Sequence, residues 1–140
     1  MKVIKEGHFE AAHMLSYYSG RCNNLHGHSY KYRITFTADV VNDMVIDFRD
    51  IAHSIDVRFD HVIIFASNEA MSSAERELLD WARKYNKSYL QLEKGRPTAE
   101  NIAEYIAQLP FELWDGLFEV KVELWETESS CVVAEVKQCE

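Results

Sequence analysis

The residues with the most chemistry in this chain lie in the run Cys-Asn-Asn-Leu-His-Gly-His at positions 22–28. His26 and His28 are separated by one glycine at the start of a predicted strand, and side chains two positions apart in a strand project from the same face. A third histidine, His13, ends an earlier predicted strand of small residues. The three imidazoles together predict a metal site.

Three imidazole ligands leave one position of a tetrahedral zinc ion open, which is the arrangement of catalytic rather than structural zinc sites. The spacing alone does not choose zinc over iron or nickel. Cys22 lies four residues before His26, so it is predicted to be near the metal without necessarily binding it. A nearby dication gives a thiol thiolate character, which makes Cys22 a candidate base or nucleophile. Taken alone, a cysteine is more often a small apolar residue of the interior.

The pair Asp60-His61 follows a predicted helix that ends at Phe59. A carboxylate next to a histidine is common at helix ends and usually has no chemical role there. The same pair meets the need of a general acid–base histidine for a carboxylate that orients it. The residues alone leave both interpretations open.

Glu126 lies at the end of a strand predicted over residues 117–126, on the inward face that Val120 and Val122 share. In one interpretation the strand ends here and the carboxylate reaches water, which avoids the cost of burying an unpaired charge. In the other interpretation the carboxylate binds a ligand that presents paired N–H donors, as the edge of a guanidine does.

The pattern of apolar residues predicts an α+β fold that positions these side chains. Alternation predicts strands at residues 2–13, 26–40, 44–48, 117–126 and 131–137. Helices are predicted from about Arg49 to Phe59, from Ser72 or Ser73 to about Asn86, and after an N-cap at Thr98. Residues 62–65 are a loop or a short strand, and residues 88–93 a short strand. This order predicts a mostly antiparallel sheet with helices on one face, in a single domain over residues 1–140.

Composition excludes several classes of function. The formal net charge of −8 argues against a nucleic-acid surface, because phosphate contacts require clustered Lys and Arg. No apolar run approaches the length of a membrane span, and the N-terminal residues lack a secretory signal. The three cysteines form no Cys-x-x-Cys pair, which predicts a protein of the reducing cytoplasm.

The motifs occur together along nearly the whole chain. They are Phe9-Glu10-Ala11-Ala12-His13, Cys22 with His26-Gly27-His28, Val45-Ile46-Asp47-Phe48, Asp60-His61, Pro97-Thr98-Ala99-Glu100-Asn101 and Glu126-Thr127. The combination resembles the 6-pyruvoyl-tetrahydropterin synthase superfamily. Three residues between Cys22 and His26 resemble its bacterial 6-carboxy-5,6,7,8-tetrahydropterin synthase branch, which acts in queuosine synthesis. A variant group that supplies folate precursors carries glutamate at the position of Cys22, so the chain differs from that group.

The resemblance implies the T-fold, a four-stranded antiparallel sheet with two main helices on one face. Subunits of that fold join edge to edge into barrels, commonly as a homohexamer that is a dimer of trimers. Closure would also remove the exposed sheet edges of a lone subunit.

The resemblance also implies a reaction. Zinc on His13, His26 and His28 would bind the side-chain hydroxyls of 7,8-dihydroneopterin triphosphate. Loss of triphosphate and release of acetaldehyde would then leave 6-carboxy-5,6,7,8-tetrahydropterin. The alternatives are the 6-pyruvoyl synthase reaction, which has no carbon–carbon cleavage, and a non-catalytic T-fold protein that binds zinc or a pterin.

Roles for the remaining residues follow from the same resemblance. Cys22 would move a proton off the side-chain carbon next to the ring, and His61, oriented by Asp60, would be the partner acid or base. Glu126 would hold the 2-amino group and the ring N–H of the pterin. Sequence proximity to these motifs makes three basic residues candidate triphosphate contacts: Arg21, Lys31 and Arg96.

Overall fold

The computed structural model describes residues 1–138, whose strands form a single sheet of six. The strands are β1 (Lys2–His13), β2 (His26–Ala38), β3 (Val62–Phe65), β4 (Tyr89–Gln91), β5 (Leu117–Thr127) and β6 (Ser130–Lys137). The helices are α1 (Phe48–Phe59), α2 (Ser73–Lys84) and α3 (Ala99–Leu113). No helix within this part of the chain is long and apolar enough to cross a membrane.

The order of strands across the sheet is β4-β3-β1-β2-β5-β6. The four long strands β1, β2, β5 and β6 pair antiparallel, as alternation predicts. The short strand β3 pairs parallel with β1, and β4 pairs parallel with β3. Across residues 1–138 the sheet is therefore open, with β4 and β6 at its edges.

The count of four strands and two main helices that the resemblance implies is wrong, because β3, β4 and α2 are added to them. The residue pattern itself predicts α2 and a short strand over residues 88–93. The apolar run Val62–Phe65 finds a partner in the end of β1, where Ala11 lies opposite Val62. The prediction of a strand over residues 44–48 is also wrong. Asp47 accepts a hydrogen bond from the backbone N–H of Arg49 at 2.8 Å, and this N-cap starts α1 at Phe48.

The helices α1 and α3 cover the same face of the sheet, as predicted, and the core lies between them and the long strands. Fully burying one large apolar side chain stabilises the folded state by about 1.5–3 kcal/mol. Large buried side chains of this core include Phe9, Tyr30, Tyr32, Ile34, Phe36, Ile51, Ile55, Phe59, Ile64 and Ile102.

The antiparallel register of β1 and β2 positions the candidate site. His13 lies directly opposite His26, and Ala11 lies opposite His28. The three histidines therefore share the helix-covered face, at the end of the sheet where β1 stops and β2 begins.

Candidate metal centre and active site

His13, His26 and His28 converge as the sequence predicts. The ring centroids are 4.7 Å apart for His13 and His26, 4.8 Å for His26 and His28, and 5.1 Å for His13 and His28. One ring nitrogen from each lies within 4.8 Å of the others, and the Nε2 atoms of His13 and His26 are 3.1 Å apart. The three histidines are therefore placed where they could bind one metal ion.

Backbone carbonyls orient two of the three rings. Nδ1 of His13 donates to the carbonyl oxygen of Pro97 at 2.6 Å, and Nδ1 of His26 donates to that of Asn24 at 2.7 Å. A ring that donates through Nδ1 keeps the lone pair of Nε2 free, which is how second-shell carbonyls prepare histidine ligands. The loop that precedes α3 and the loop that precedes β2 thus both hold the site.

The surroundings of His13 and His28 lower the pKa of both imidazoles. Burial lowers the pKa of His13 to about 4, although the bond to Pro97 raises it, and the neighbouring His26 and His28 lower it further. Burial also lowers the pKa of His28, while Glu126 opposes that shift. Neutral imidazole is the form that binds metal, so His13 is ready to act as a ligand at neutral pH.

Coordination of a metal ion would explain why Nε2 of His28 is buried without a hydrogen-bond partner in the described part of the chain. A buried polar nitrogen without a partner is costly, and coordination of a cation would satisfy it. The donor set of three imidazoles suits zinc, copper, iron or nickel rather than magnesium or calcium.

Glu126 lies on the inward face of β5, as predicted, beside this cluster. Its Oε1 is 3.6 Å from Nε2 of His28, and its side chain is 26% exposed. Its charge contributes to raising the pKa of Tyr30, whose burial is the larger cause. The carboxylate therefore faces the histidine cluster and is only partly exposed to solvent.

Cys22 lies in a short 3₁₀ turn, Arg21–Asn23, and its thiol is partly exposed. The converging donor atoms in the described part of the chain come from the three histidines, and Cys22 is not among them. Its carbonyl accepts a hydrogen bond from the N–H of Leu15 at 2.8 Å, and two residues later Asn24 accepts the bond from His26. The loop of Cys22 is thus joined to the histidine cluster without supplying a ligand.

Asp60 and His61 are in contact, with Oδ2 of Asp60 2.8 Å from Nδ1 of His61, as expected for a carboxylate that orients the ring. Asp60 also accepts from the backbone N–H of Glu10 at 2.9 Å, and these two bonds lower its pKa, the bond from Glu10 most. The ring of His61 is 79% exposed and lines a shallow surface depression together with His28. Within residues 1–138 no hydrogen bond joins the pair to the histidine cluster.

The candidate triphosphate contacts separate in the structure. Lys31 extends from the opposite face of β2, where its ammonium group lies 5.3 Å from the centroid of the Trp125 ring. Arg96 precedes Pro97, the residue that holds His13, and its guanidinium lies 3.7 Å from the centroid of the Tyr17 ring. Arg96 therefore lies at the rim of the site, whereas Lys31 points away from it in this chain.

Sequence reasoning missed the backbone carbonyls of Asn24 and Pro97. A carbonyl carries no residue-type signal, so only position could have indicated them. Asn24 does lie in the Cys–His run of residues 22–28, and Pro97 lies directly before Thr98, the predicted N-cap of a helix. A proline before a helix N-cap leaves its carbonyl free of the helix, which makes it available to His13.

The fold and the site define an α+β protein whose three sheet histidines could bind a metal beside an inward-facing carboxylate. A family model described as 6-pyruvoyl tetrahydropterin synthase matches residues 2–137. The chain belongs to this family, and the resemblance drawn from its motifs is confirmed.

Similar proteins include several that carry the name 6-carboxy-5,6,7,8-tetrahydropterin synthase. The one from Haemophilus influenzae is 31% identical over 92% of this chain and 94% of its own length. The one from Rickettsia felis is 32% identical over 91% of this chain and 94% of its own length. These relatives support an enzyme of this family.

Solved structures share the fold at lower identity. A Plasmodium falciparum 6-pyruvoyl tetrahydropterin synthase has a TM-score of 0.68 and 20% identity, covering 99% of this chain and 98% of that one. A Plasmodium vivax 6-pyruvoyltetrahydropterin synthase, with cysteine in place of a catalytic glutamate, has a TM-score of 0.67 and 19% identity over the same shares. The α+β T-fold is thereby confirmed for this chain.

Proposed function

We propose that this chain converts 7,8-dihydroneopterin triphosphate to 6-carboxy-5,6,7,8-tetrahydropterin in a zinc-dependent lyase reaction of queuosine synthesis, releasing triphosphate and acetaldehyde. The observation that carries the proposal is the convergence of three imidazoles beside Glu126 on the covered face of the sheet. The names of the bacterial relatives support the 6-carboxy product.

His13, His26 and His28 would hold the metal. When bound, zinc supplies a Lewis acid that acidifies the side-chain hydroxyls of the substrate and the neighbouring C–H bonds. Glu126 is one carboxylate facing the same space, and a carboxylate matches the 2-amino group and ring N–H of a pterin through two parallel hydrogen bonds. The side chain of the bound pterin would then extend towards the histidines.

The proton transfers are assigned to Cys22 and His61. Cys22 takes a proton from the side-chain carbon next to the ring, and His61 exchanges a proton with the side-chain oxygen while Asp60 holds its Nδ1. Arg96, next to the Pro97 that holds His13, is the triphosphate contact that we favour over Lys31, which lies on the opposite face of β2. Carbon–carbon cleavage after loss of triphosphate consumes one water and needs no external oxidant or reductant.

The assembly belongs to the same proposal. Residues 1–140 form one T-fold domain, and the edge strands β4 and β6 offer unpaired backbone groups to other subunits. Pairing of these edges closes a barrel in a cytoplasmic homohexamer, a dimer of trimers.

The product distinguishes the 6-carboxy-5,6,7,8-tetrahydropterin synthase reaction from the 6-pyruvoyl synthase reaction. Incubation of the purified protein with zinc and dihydroneopterin triphosphate, without reductant, should release acetaldehyde and yield a pterin with a carboxylate at C6. The reason is the short interval between Cys22 and His26, which places the thiol differently over the substrate side chain than a longer loop would. Alcohol dehydrogenase with NADH reports the acetaldehyde, and mass spectrometry identifies the pterin.

Heat-inactivated protein controls for spontaneous breakdown of the substrate in this assay. Triphosphate release without acetaldehyde would instead assign the chain to 6-pyruvoyl synthesis, with the roles of zinc, Cys22 and Glu126 unchanged. Binding of the pterin without any release of triphosphate would indicate the non-catalytic alternative.

Glu126→Gln should weaken pterin binding far more than folding. The substitution keeps the shape of the side chain but replaces one acceptor oxygen by a donor that faces the N–H donors of the ligand. A hydrogen bond to a charged group contributes about 1.5–3 kcal/mol, so affinity should fall by about one to two orders of magnitude. Calorimetric titration with a dihydropterin measures this change.

Glu128→Gln is the matched control, because Glu128 is exposed beyond the end of β5. The control should bind as the unmodified chain does. Equal affinity of the Glu126 variant and the control would return Glu126 to the role of a solvated strand end.

A further inference from the structure

Glu75, in the first turn of α2, is a buried carboxylate outside the site described above. It is 3% exposed. Its Oε2 accepts hydrogen bonds from the hydroxyl of Ser16 at 2.7 Å and from the backbone N–H of Ser72 at 3.0 Å. Ser72 in turn caps the helix, since its hydroxyl accepts from the N–H of Glu75 at 3.2 Å and donates to the hydroxyl of Ser16 at 2.8 Å.

A helix cap alone does not explain this arrangement. The reciprocal bonds between Ser72 and Glu75 form a capping box, which works equally well at an exposed position. Here the second oxygen, Oε1, is buried with no hydrogen-bond partner within residues 1–138. Burying a carboxylate oxygen in this way costs free energy, so the position calls for a reason beyond capping.

Ser16 supplies that reason, because it belongs to the loop that carries Cys22. The preceding residue, Leu15, donates its N–H to the carbonyl of Cys22 at 2.8 Å and accepts from the N–H of Tyr18 at 2.8 Å. A side chain fixed at Ser16 therefore fixes the neighbouring backbone that holds Cys22. This connection spans 59 positions of sequence, from Ser16 to Glu75.

We propose that Glu75 is a positioning residue for Cys22, acting through Ser16 to hold the loop of residues 14–25 against α2. This inference rests on the proposed function only in taking Cys22 as the proton-transfer group. A misplacement of about 1 Å in a reacting group lowers the rate on the order of 10²-fold. A single hydrogen bond that fixes this loop can therefore affect turnover. The segment around α2, to which the family resemblance assigned no role, thus supports the site.

Three variants of the full zinc-loaded chain test the tether. Ser16→Ala removes the link but leaves the capping box of Ser72 and Glu75 intact. Glu75→Ala removes the link and the cap together. Glu75→Gln keeps an oxygen that can accept both bonds, so it should restore the behaviour of the unmodified chain. Glu77→Ala is the matched control, since Glu77 is an exposed acidic residue of the same helix.

Two measurements follow the variants. The first is kcat and KM with dihydroneopterin triphosphate. The second is the alkylation rate of Cys22 by iodoacetamide, followed by mass spectrometry of its peptide, with the exposed Cys131 as internal reference. The second measurement needs no substrate, so it reports on the loop even if the chain acts on a different pterin.

Ser16→Ala and Glu75→Ala should each lower kcat by about tenfold or more, because a loop held less firmly misplaces the thiol of Cys22. KM should stay within about twofold, and Cys22 should be alkylated faster because its loop is less fixed, while Cys131 is unchanged. Changed alkylation in a chain that turns over no pterin would support the tether and contradict the proposed function.

Several results would overturn the positioning role. Unchanged kcat and unchanged Cys22 alkylation in Ser16→Ala are decisive, because this variant leaves the cap in place even if Glu75→Ala does not fold. A loss in Glu75→Gln as large as that in Glu75→Ala would also overturn it, since the amide retains the acceptor. A loss of kcat in the control Glu77→Ala as large as that in Glu75→Ala would also overturn the positioning role.

Discussion

Substitution of His13, His26 or His28 by alanine is expected to remove most of the bound zinc and most of the activity. The chain without any substitution should bind about one zinc ion, as expected for a single site of three imidazoles. In the proposed site each imidazole is one of three ligands, and the Lewis acid that they would hold would contribute on the order of several kcal/mol to the transition state. Activity should therefore fall by at least about two orders of magnitude. Elemental analysis of the dialysed protein and the acetaldehyde assay measure the two effects.

His28→Ala is the most informative of the three variants. Nε2 of His28 has no hydrogen-bond partner within the described residues and lies 3.6 Å from Oε1 of Glu126, so its loss breaks no hydrogen bond made by that atom. His13 also holds the Pro97 carbonyl and is 1% exposed, so its loss affects folding as well. His53→Ala is the control, because His53 is exposed on α1, away from the cluster. Full zinc content in all three site variants would refute the metal assignment.

The parts of the site that follow from local period were predictable from sequence. His26 and His28 share a face because strand side chains alternate, and Glu126 faces inward for the same reason. The proximity of His13 to His26 depends on the register of β1 and β2, which no local pattern specifies. It was the small residues before His13, and the resemblance built on them, that brought the third ligand into the prediction.

Two parts of the fold were left open or predicted wrongly, for different physical reasons. β3 has four residues, and a run this short does not distinguish a strand from a loop by periodicity, whereas the short strand predicted over residues 88–93 does contain β4. Residues 44–48 alternate as a strand would, but the N-cap at Asp47 favours helix from Phe48 onward. The buried role of Glu75 was equally invisible, because a capping-box glutamate looks the same in sequence whether it is exposed or linked to Ser16.

Cys22→Ala should keep the fold and the zinc while turnover falls by about 10²–10⁴-fold, the contribution of a positioned proton-transfer group. The structure makes this separation possible, because the converging donors of the described chain are the three histidines and the contact of Cys22 with its loop runs through its carbonyl, which alanine retains. Single-turnover rates and zinc content, measured on the same preparation, give the two quantities.

Cys131→Ala is the matched control for this variant, since Cys131 is an exposed free thiol on β6. It should keep both turnover and zinc. Loss of zinc from Cys22→Ala would make the thiol a fourth ligand, which closes the coordination sphere and turns a catalytic site into a structural one. Retained zinc with undiminished turnover would transfer the proton-transfer role to another group, and His61, held by Asp60 on the depression that it shares with His28, is the group the geometry offers.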